Sequence, residues 1–387
     1  MYLGGVERSL LGLLDSINYS KYRTDLFLMR QSGELMPYIN KSANLLPEIP
    51  QYSSLAVPMA SLIGKGQFGV LCGRLHGKLA AKRYDKAHPG DKPSIVSLTY
   101  SHKYTLPMMP QISNKIYDLA ISFLTPHYFV RNRVKAKNYA AWIHTDYTAL
   151  SFDRKSELEM WSGYDYICGI SDQASNAFKS VFPELADKVR TIENTLPIKL
   201  IDEQSIRPQS EIIPGNSITL LSVGRFCEQK NFDNVPDICR RIIDSGLNVK
   251  WYLIGYGGDE TLIRQKIAES GMEDHAIILG KKENPYPYMR ACDLYVQPSR
   301  YEGKAVTVRE AQMLGKPVVI TKYATSASQL EDGVDGVIVP MDNAGCAKGI
   351  ADLLRDPDRM QRLSENCKKR DYTNSAEVEK IYALMED

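Results

Sequence analysis

Short apolar runs alternate with amphipathic stretches along most of this 387-residue sequence. Runs of four to six residues are typical of buried strands, and ten occur, at 25–29, 119–124, 139–144, 166–170, 219–223, 249–254, 276–279, 294–297, 317–320 and 336–339. Between most of them the apolar residues return with helical spacing, as at 6–16, 172–182, 233–245 and 344–354. Strands that alternate with helices predict α/β domains in which parallel sheets are covered on both faces.

The sequence is predicted to form two domains of similar size. Its length suits two or three domains at roughly 150 residues each. Around 197–216 the sequence is rich in Pro, Ser and Gln and loses its periodicity, so we place the boundary between 1–196 and 197–370. Each half is expected to be a doubly wound α/β domain, because helices are predicted on both faces of its sheet.

The charge is unevenly distributed between the two halves. Residues 1–200 carry 24 Lys and Arg against 17 Asp and Glu, whereas 201–387 carry 24 against 29. The basic excess lies in 65–137, with 13 basic and three acidic residues. The first half is therefore expected to face an anionic surface or partner.

Composition excludes several classes of protein. Seven scattered cysteines without a Cys-x-x-Cys pair give neither a disulfide framework nor a zinc site. No apolar run approaches the roughly 18 residues needed to cross a bilayer, and no signal-peptide pattern is present. The expected location is the cytoplasm.

The segment Gly64-Lys-Gly-Gln-Phe-Gly-Val70, with a lysine downstream, imitates the glycine-rich loop of a protein kinase. The His-Arg-Asp and Asp-Phe-Gly sequences of a kinase are absent, and the apolar residues that follow have helical spacing. We therefore predict a basic amphipathic helix. Its face is either an ordinary solvated surface or a site for anionic headgroups or a pyrophosphate-bearing acceptor. The basic residues recur every four positions, at Arg74, Lys78, Lys82 and Lys86.

Two stretches of the second half place charged or small residues after predicted strands. One strand ends at Val223, Gly224 allows a turn, and Arg225 and Lys230 precede a helix. Two cations at the carboxyl edge of a parallel sheet can clamp a diphosphate, although two solvated cations would give the same pattern. The glycine-rich turn at 253–259 fits either close approach to a ligand or a plain tight turn.

A third stretch, 298–320, holds two glutamates, Glu302 and Glu310. A helix predicted to begin near Val306 would direct its free N–H groups at an anion. Glu310 would then lie about one turn into that helix. Its carboxylate could accept hydrogen bonds from a vicinal diol such as a ribose.

The second half resembles glycosyltransferase family 4, retaining enzymes of GT-B architecture. The resemblance rests on Glu302-Gly303, Glu310-Ala311, Gly315-Lys-Pro-Val-Val319, the Ser-Val-Gly-Arg and Lys-Asn pairs of 222–231, and Asp335-Gly336. It implies an α/β fold of two Rossmann-like doubly wound domains facing an interdomain cleft, with 371–387 packing back on the first domain as a helix. One departure is Lys304-Ala305, where the family commonly has Phe-Gly, and this departure bears on which sugar is bound.

The resemblance implies a role for each matching position. Arg225 and Lys230 are expected to bind the donor diphosphate and to stabilise the departing nucleotide. Glu302 is expected to contact the donor sugar, and Glu310 the nucleotide ribose. Backbone groups are expected to bind the phosphates around Ala305, Val306 and Thr307, and the base near Lys281 and Lys282.

In the first half the resemblance extends to His144, at the end of a predicted strand, which would lie in the cleft against the transferred sugar. Without that context a strand-end histidine is more often structural. Asp146 is expected to face the acceptor. Gly4 and Gly5 resemble the loop that approaches the donor phosphates or the acceptor in this family, and the first strand, ahead of that loop, is expected to be missing. An extended product with an apolar strand before Met1 is expected to be more stable and more active.

The function expected from the resemblance is transfer of a hexosyl group, with retention, from a nucleotide-diphosphate sugar. UDP is the expected nucleotide, and the acceptor is expected to be a glycan or lipid-linked glycan of cell-envelope or capsular polysaccharide synthesis. Peripheral contact with the inner face of the plasma membrane is expected, and no nucleic-acid partner. No metal or other cofactor is expected, because two cations and a helix N-terminus can neutralise the leaving diphosphate. Two alternatives remain, a GT-B sugar-nucleotide 2-epimerase and a non-catalytic pseudo-glycosyltransferase that partners a glycan or a second transferase.

Overall fold

The computed structural model describes residues 1, 5–90, 92–212, 215–302 and 304–386. These residues form two compact units. The N-terminal unit comprises Met1–Thr195 together with Asn374–Asp387, and the C-terminal unit comprises Leu196–Thr373.

The N-terminal unit contains two parallel sheets. Its strands are β1 (Asp25–Leu26), β2 (Asn44–Leu45), β3 (Ile116–Ser122), β4 (Lys135–Ile143), β5 (Tyr166–Gly169) and β6 (Val189–Thr191). Strands β3 to β6 form one sheet in chain order, and β1 pairs with β2 in the other. The helices are α1 (Gly5–Ser16), α2 (Pro50–Ser53), α3 (Ser61–Gly64), α4 (Phe68–Ala87), α5 (Val96–Thr105), α6 (Tyr128–Arg133), α7 (Arg154–Ser162) and α8 (Asp172–Val181).

The larger sheet of this unit is buried on both faces. Ala141 and Ile143 of β4 join one apolar cluster, whereas Ala140 and Trp142 join another on the opposite face. Alternate residues of a strand point to opposite sides of a sheet, so an apolar run such as β4 suits a strand that is covered twice.

The strand predicted at 25–29 is much shorter in the structure. Only Asp25 and Leu26 pair, with Asn44 and Leu45, while Phe27 and Met29 pack into the main apolar cluster. Strand β3 has a strand partner on one side only among the described residues. Tyr117 on β3 reaches Asp25 of the smaller sheet through a side-chain hydrogen bond of 2.7 Å.

The glycine-containing segment that imitates a kinase loop leads into α4, a helix of 20 residues. Its helical spacing predicted this outcome, and the prediction is confirmed. A kinase glycine-rich loop would join two strands, so the fold of this segment excludes that class.

The C-terminal unit is built on one sheet of six parallel strands. They are β7 (Ile218–Val223), β8 (Val249–Ile254), β9 (Ala276–Gly280), β10 (Leu294–Gln297), β11 (Val318–Thr321) and β12 (Val337–Val339). Its helices are α9 (Ile198–Ser205), α10 (Val235–Asp244), α11 (Glu260–Glu269), α12 (Tyr286–Ala291), α13 (Val306–Met313), α14 (Ser326–Gln329), α15 (Asn343–Leu354) and α16 (Pro357–Lys369). The chain then returns to the N-terminal unit as α17 (Val378–Ala383).

The order of the six strands is β12-β11-β10-β7-β8-β9. The direction of winding therefore reverses between β7 and β10. Loops leave the sheet there toward opposite sides, and in doubly wound sheets ligands bind at the carboxyl ends of the strands flanking such a reversal. A ligand site is therefore expected at the loops after β7 and β10.

Candidate functional site

The loops after β7 and β10 are bonded to each other. Asn231 donates from Nδ2 to the carbonyl of Pro298 at 2.9 Å, and the Arg300 N–H donates to the carbonyl of Gln229 at 2.9 Å. The Arg300 guanidinium also makes two bonds to the Asp233 carboxylate, at 3.0 and 2.8 Å. Two loops that are distant in sequence are thus held as one surface at the carboxyl edge of the sheet.

An ion pair lies at the centre of this surface. Lys230 Nζ is 2.5 Å from Glu302 Oε1, and the two side chains are only 14% and 5% exposed. The Lys230 stem lies against Gly224, because a Cβ on that glycine would be 3.2 Å from Lys230 Cε. The lysine and the glutamate that the sequence analysis selected separately are therefore in direct contact.

Arg225 lies on the same loop as Lys230, but its side chain has a different environment. The side chain is exposed, and it makes no ion pair or hydrogen bond with the other described residues. Its guanidinium is thus available to an anion from solution, whereas Lys230 is already neutralised.

A chain of buried polar groups behind Glu302 fixes its carboxylate. Tyr295 donates to Gln297 Oε1 at 2.8 Å, Gln297 Nε2 donates to Ser299 Oγ at 2.9 Å, and Ser299 Oγ donates to Glu302 Oε1 at 2.6 Å. Gln229 Nε2 adds a bond of 3.2 Å to Glu302 Oε2. These residues were not predicted from the sequence. The available signal was a glutamine and a serine in and just after a buried apolar strand, where polar groups need partners.

Glu310 lies inside α13, as predicted, and is buried. Tyr286, at the start of α12, donates to Glu310 Oε1 at 2.8 Å. At the beginning of α13 the Ala305 N–H donates to Gln329 Oε1 at 2.7 Å. Of the backbone groups expected to bind phosphate, that of Ala305 is thus engaged by a side chain here, and Val306 and Thr307 follow in the first turn.

The glycine-rich turn after β8 packs against the loop after β7. Gly255 and Gly257 have φ angles of +158° and +157°. A Cβ on Gly255 would be 1.8 Å from the Gly224 carbonyl oxygen, and one on Gly257 would be 2.2 Å from that of Phe226. From the sequence, this turn could serve either close approach to a ligand or a plain tight turn. In the structure its glycines allow the loop after β8 to pack closely against the loop after β7. Gly303, from the Glu-Gly signature, lies outside the described residues.

The two lysines after β9 have different partners. Lys281 Nζ lies 5.4 Å from the centre of the Tyr256 ring, a residue of the glycine-rich turn. Lys282 forms an ion pair with Glu211, which also accepts a hydrogen bond from the Tyr288 hydroxyl. Lys282 and Tyr288 lower the pKa of the Glu211 carboxyl.

His144 follows β4 in the N-terminal unit. Its ring centre is 4.8 Å from that of Phe123, and burial lowers its pKa from 6.5 to about 4. The imidazole is therefore neutral at pH 7 and can exchange hydrogen bonds without carrying charge.

The other predicted residues of the N-terminal unit have local roles. Gly5 is the first residue of α1, and Gly4 lies outside the described residues. Asp146 accepts a hydrogen bond from the Thr148 N–H at 2.8 Å, so its side chain caps a short helical turn. Arg74 points inward and donates to the carbonyls of Ser54 and Val57 at 2.8 and 2.7 Å.

Lys78, Lys82 and Lys86 are exposed on α4. They therefore present the solvent-facing charge that the sequence predicted, whereas Arg74 contributes to the fold. Among the described residues no helix has the length and apolar character to span a membrane.

One Asp-x-Asp sequence, a pattern found in some metal-binding transferases, occurs at Asp356-Pro-Asp358. It lies at the start of α16, where the Asp356 side chain accepts a hydrogen bond from the Arg359 N–H at 2.9 Å. Helix capping accounts for this aspartate.

Buried histidines make the stability of the N-terminal unit depend on pH. Burial lowers the pKa of His102 to about 4, of His127 to about 3 and of His144 to about 4. These groups bind protons more weakly when folded, so the stability they provide is present above pH 6.5 and is lost as pH falls toward 4. The pKa of buried Glu157 is raised by burial, and its stabilising contribution, present at low pH, opposes this trend.

We expect the free energy of unfolding to fall by at least about 2 kcal/mol between pH 7 and pH 5, because three histidines outweigh one carboxyl. Urea unfolding followed by tryptophan fluorescence would measure it. The His102→Phe variant should show a flatter pH dependence, and the exposed control His88→Asn should behave as the wild type. Equal stability at both pH values would contradict this account.

Known proteins resemble either part of this chain or nearly all of it. Residues 203–370 match the family model described as Glycosyl transferases group 1. Among curated proteins, the UDP-Gal:alpha-D-GlcNAc-diphosphoundecaprenol alpha-1,3-galactosyltransferase of Escherichia coli is 20% identical over 380 residues, or 95% of this chain and 89% of that protein. The lipopolysaccharide core biosynthesis glycosyltransferase LpsE of Rhizobium meliloti is 26% identical over 153 residues, or 39% and 44%. The first three curated relatives match over less than half of their own length, at 42%, 44% and 35%.

Solved structures resemble the chain over nearly its full length. HepE from Anabaena in complex with UDP has a TM-score of 0.56 at 15% identity, covering 99% of this chain and 96% of that one. A glycosyltransferase from Rickettsia africae has a TM-score of 0.57 at 14% identity, covering 99% and 94%. These likenesses confirm the predicted α/β fold of GT-B type with Rossmann-like domains.

Proposed function

We propose that this chain is a retaining glycosyltransferase that transfers a hexosyl group from a nucleotide-diphosphate sugar to a hydroxyl of a glycan or lipid-linked glycan. The observation that carries the proposal is the Lys230–Glu302 pair at the strand-order reversal of the C-terminal sheet, with the exposed Arg225 on the same loop as Lys230. A diphosphate needs cations, a sugar needs a fixed carboxylate acceptor, and this surface supplies both.

The donor occupies the C-terminal unit in this proposal. Arg225 and Lys230 bind the diphosphate, and the first turn of α13 contributes N–H groups at Val306 and Thr307. Glu310, oriented by Tyr286, accepts the ribose hydroxyls, and the backbone near Lys281 contacts the base. When Lys230 turns to the diphosphate, Glu302 is left held by Ser299 and Gln229, and its carboxylate is free to accept sugar hydroxyls.

The reaction breaks the bond between the sugar C1 and the phosphate oxygen and forms a bond between C1 and the acceptor oxygen. The proton of the acceptor hydroxyl passes to the phosphate of the leaving nucleotide, so no side-chain base is needed. Arg225 and Lys230 stabilise the charge that develops on that phosphate. No metal is required in this proposal.

UDP is the nucleotide we propose. The galactosyltransferase relative is named for a UDP-linked donor and a diphosphoundecaprenol acceptor, and HepE was solved with UDP. By analogy we propose a lipid-linked acceptor in polysaccharide synthesis, and peripheral contact of Lys78, Lys82 and Lys86 with the anionic cytoplasmic face of a membrane.

Release of nucleotide from a panel of sugar nucleotides, with and without a lipid-linked acceptor, tests the proposal. We expect release of UDP that depends on the acceptor, and an α-linked product from an α-linked donor. Conversion of a UDP-sugar without acceptor would instead identify a 2-epimerase. No turnover of any donor would identify a non-catalytic partner.

Removing the Tyr286–Glu310 hydrogen bond is expected to weaken donor binding. Tyr286→Phe should raise the donor KM about tenfold with little change in kcat, since a carboxylate that loses its positioning bond binds the ribose less well. Glu310→Gln should have a larger effect in the same direction. Tyr252→Phe makes the same chemical change in the same apolar cluster and serves as the control. If Tyr286→Phe and Glu310→Gln both left the donor KM unchanged, Glu310 would not belong to the proposed site.

A further inference from the structure

One face of α4 exposes a continuous stripe of apolar side chains. The outward stripe consists of Phe68, Cys72, Leu75 and Leu79, at successive spacings of four, three and four residues. Phe68, Leu75 and Leu79 are 60%, 44% and 57% exposed. Residues with this spacing lie on one side of a helix, so the stripe is a single surface that solvent reaches along three turns.

The opposite face of α4 is fixed by close packing against α5. Gly73, Gly77 and Ala81 are buried there. A Cβ on Gly73 would be 2.8 Å from the carbonyl oxygen of Tyr104, and one on Gly77 would be 2.7 Å from that of Tyr100. The two helices touch backbone to backbone, which a bulkier face could not do. The helix therefore cannot turn its apolar stripe into the core.

Basic residues surround the outward stripe. Lys78, Lys82, Arg83 and Lys86 are exposed on the same helix, and Lys65 is exposed just before it. The one acidic residue of α4, Asp85, accepts a hydrogen bond from Ser94 Oγ at 2.9 Å. A helix with an apolar face and lysines along its polar border is typical of segments that lie in a membrane interface.

We infer that the outward stripe inserts into the surface of an anionic lipid bilayer while the flanking lysines and Arg83 bind lipid headgroups. Charge selects this partner, since the stripe is bordered by cations, and an anionic bilayer offers both negative headgroups and apolar chains. The inference deepens the proposed function, because it makes the membrane contact depend on burial of apolar side chains as well as on charge. The surface would hold the N-terminal unit at the bilayer that contains a lipid-linked acceptor.

Cys72 allows the insertion to be observed directly. All seven cysteines lie in the described residues, and of these only Cys72 is exposed. An environment-sensitive fluorophore on Cys72 of the full chain should shift to shorter wavelength with phosphatidylglycerol-containing vesicles and remain unshifted with pure phosphatidylcholine vesicles. Cys72→Ser serves as the labelling control, because any label that it takes up reports the half-buried Cys227 or a buried cysteine.

Unlabelled variants separate the apolar and the charged contributions in vesicle co-sedimentation. Leu75→Ser combined with Leu79→Ser should lower vesicle affinity at least about tenfold, and each of Lys78→Glu and Lys82→Glu should lower it about fivefold or more. Ile206→Ser combined with Leu262→Ser changes two exposed apolar residues of the C-terminal unit, and Lys266→Glu changes an exposed lysine there. These controls should bind as the wild type.

Three results would overturn the inference. In the first, the fluorophore on Cys72 does not respond to anionic vesicles. In the second, the serine variants bind vesicles as well as the wild type does. In the third, the protein is a dimer that the serine substitutions dissociate, and it does not bind vesicles. Nucleotide release with a water-soluble acceptor separates this inference from the proposed function. If both proposals hold, the serine variants should release nucleotide with the water-soluble acceptor as the wild type does. If only the proposed function fails, the wild type should still bind vesicles but should release no nucleotide.

Discussion

Lys230→Met is expected to lower the free energy of unfolding of the C-terminal unit by about 3 kcal/mol and to reduce turnover at least about a hundredfold. Methionine keeps the stem that packs on Gly224 but removes the charge. The Glu302 carboxylate, 5% exposed, then loses its counter-ion at a distance of 2.5 Å. A buried carboxylate without a cation is costly even when Ser299 and Gln229 still donate to it.

A double variant separates stability from function. Lys230→Met combined with Glu302→Gln removes both charges and should recover most of the lost stability, but it should remain inactive because the diphosphate still lacks its cation. Lys348→Met is the matched control. Lys348 forms a pair of 2.5 Å with Asp352, but on an exposed helix surface where such a pair contributes little.

Urea unfolding and nucleotide release, measured on the same preparations, test both effects. Wild-type turnover in either Lys230 variant would remove this lysine from the proposed mechanism. Wild-type stability in the single variant would show that Glu302 does not depend on it.

Gly255→Ala is expected to destabilise the C-terminal unit by about 3 kcal/mol or more and to abolish donor binding. The new Cβ would be 1.8 Å from the Gly224 carbonyl oxygen, and the φ of +158° disfavours any side chain. Backbone must move to relieve the contact, and the backbone that moves is the loop that carries Arg225 and Lys230. Stability and donor affinity should therefore fall together.

Gly258→Ala provides a control three residues away in the same turn. A Cβ there would meet nothing within 4 Å. We expect this variant to match the wild type within about 0.5 kcal/mol in urea unfolding, as surface substitutions usually do, and to keep its donor affinity in equilibrium titration with UDP. Equal behaviour of the Gly255 and Gly258 variants would contradict the role assigned to loop packing.

Sequence periodicity predicted the C-terminal sheet closely. The bounds of β8 and β10 agree with the apolar runs at 249–254 and 294–297, because a strand that is covered on both faces is mostly apolar. The N-terminal unit was harder to predict. The apolar residues Phe27 and Met29 contribute to a core without forming a strand, so composition alone overestimated β1.

The candidate site was predictable as far as loop position determines it. The sequence predicted that Lys230 and Glu302 each follow a strand of one parallel sheet. The observed strand order places their loops next to each other, and the two side chains are in contact. The partners Gln329 and Tyr286 were not predictable, because they meet their targets through tertiary folding and carry no local pattern. Arg74 shows the reverse case, a basic residue whose spacing suggested a surface role but whose guanidinium satisfies two carbonyl groups.

The Lys230–Glu302 contact makes the lysine a site with a tethered competitor. Any anion that binds Lys230 must displace a carboxylate attached to the same fold, whose effective concentration is set by geometry and does not fall on dilution. In the proposed function, the donor and the departing nucleotide are both subject to this competition. The proposed donor must therefore gain affinity elsewhere, through its sugar and ribose, while a spent nucleotide that has lost its sugar is displaced more readily by Glu302.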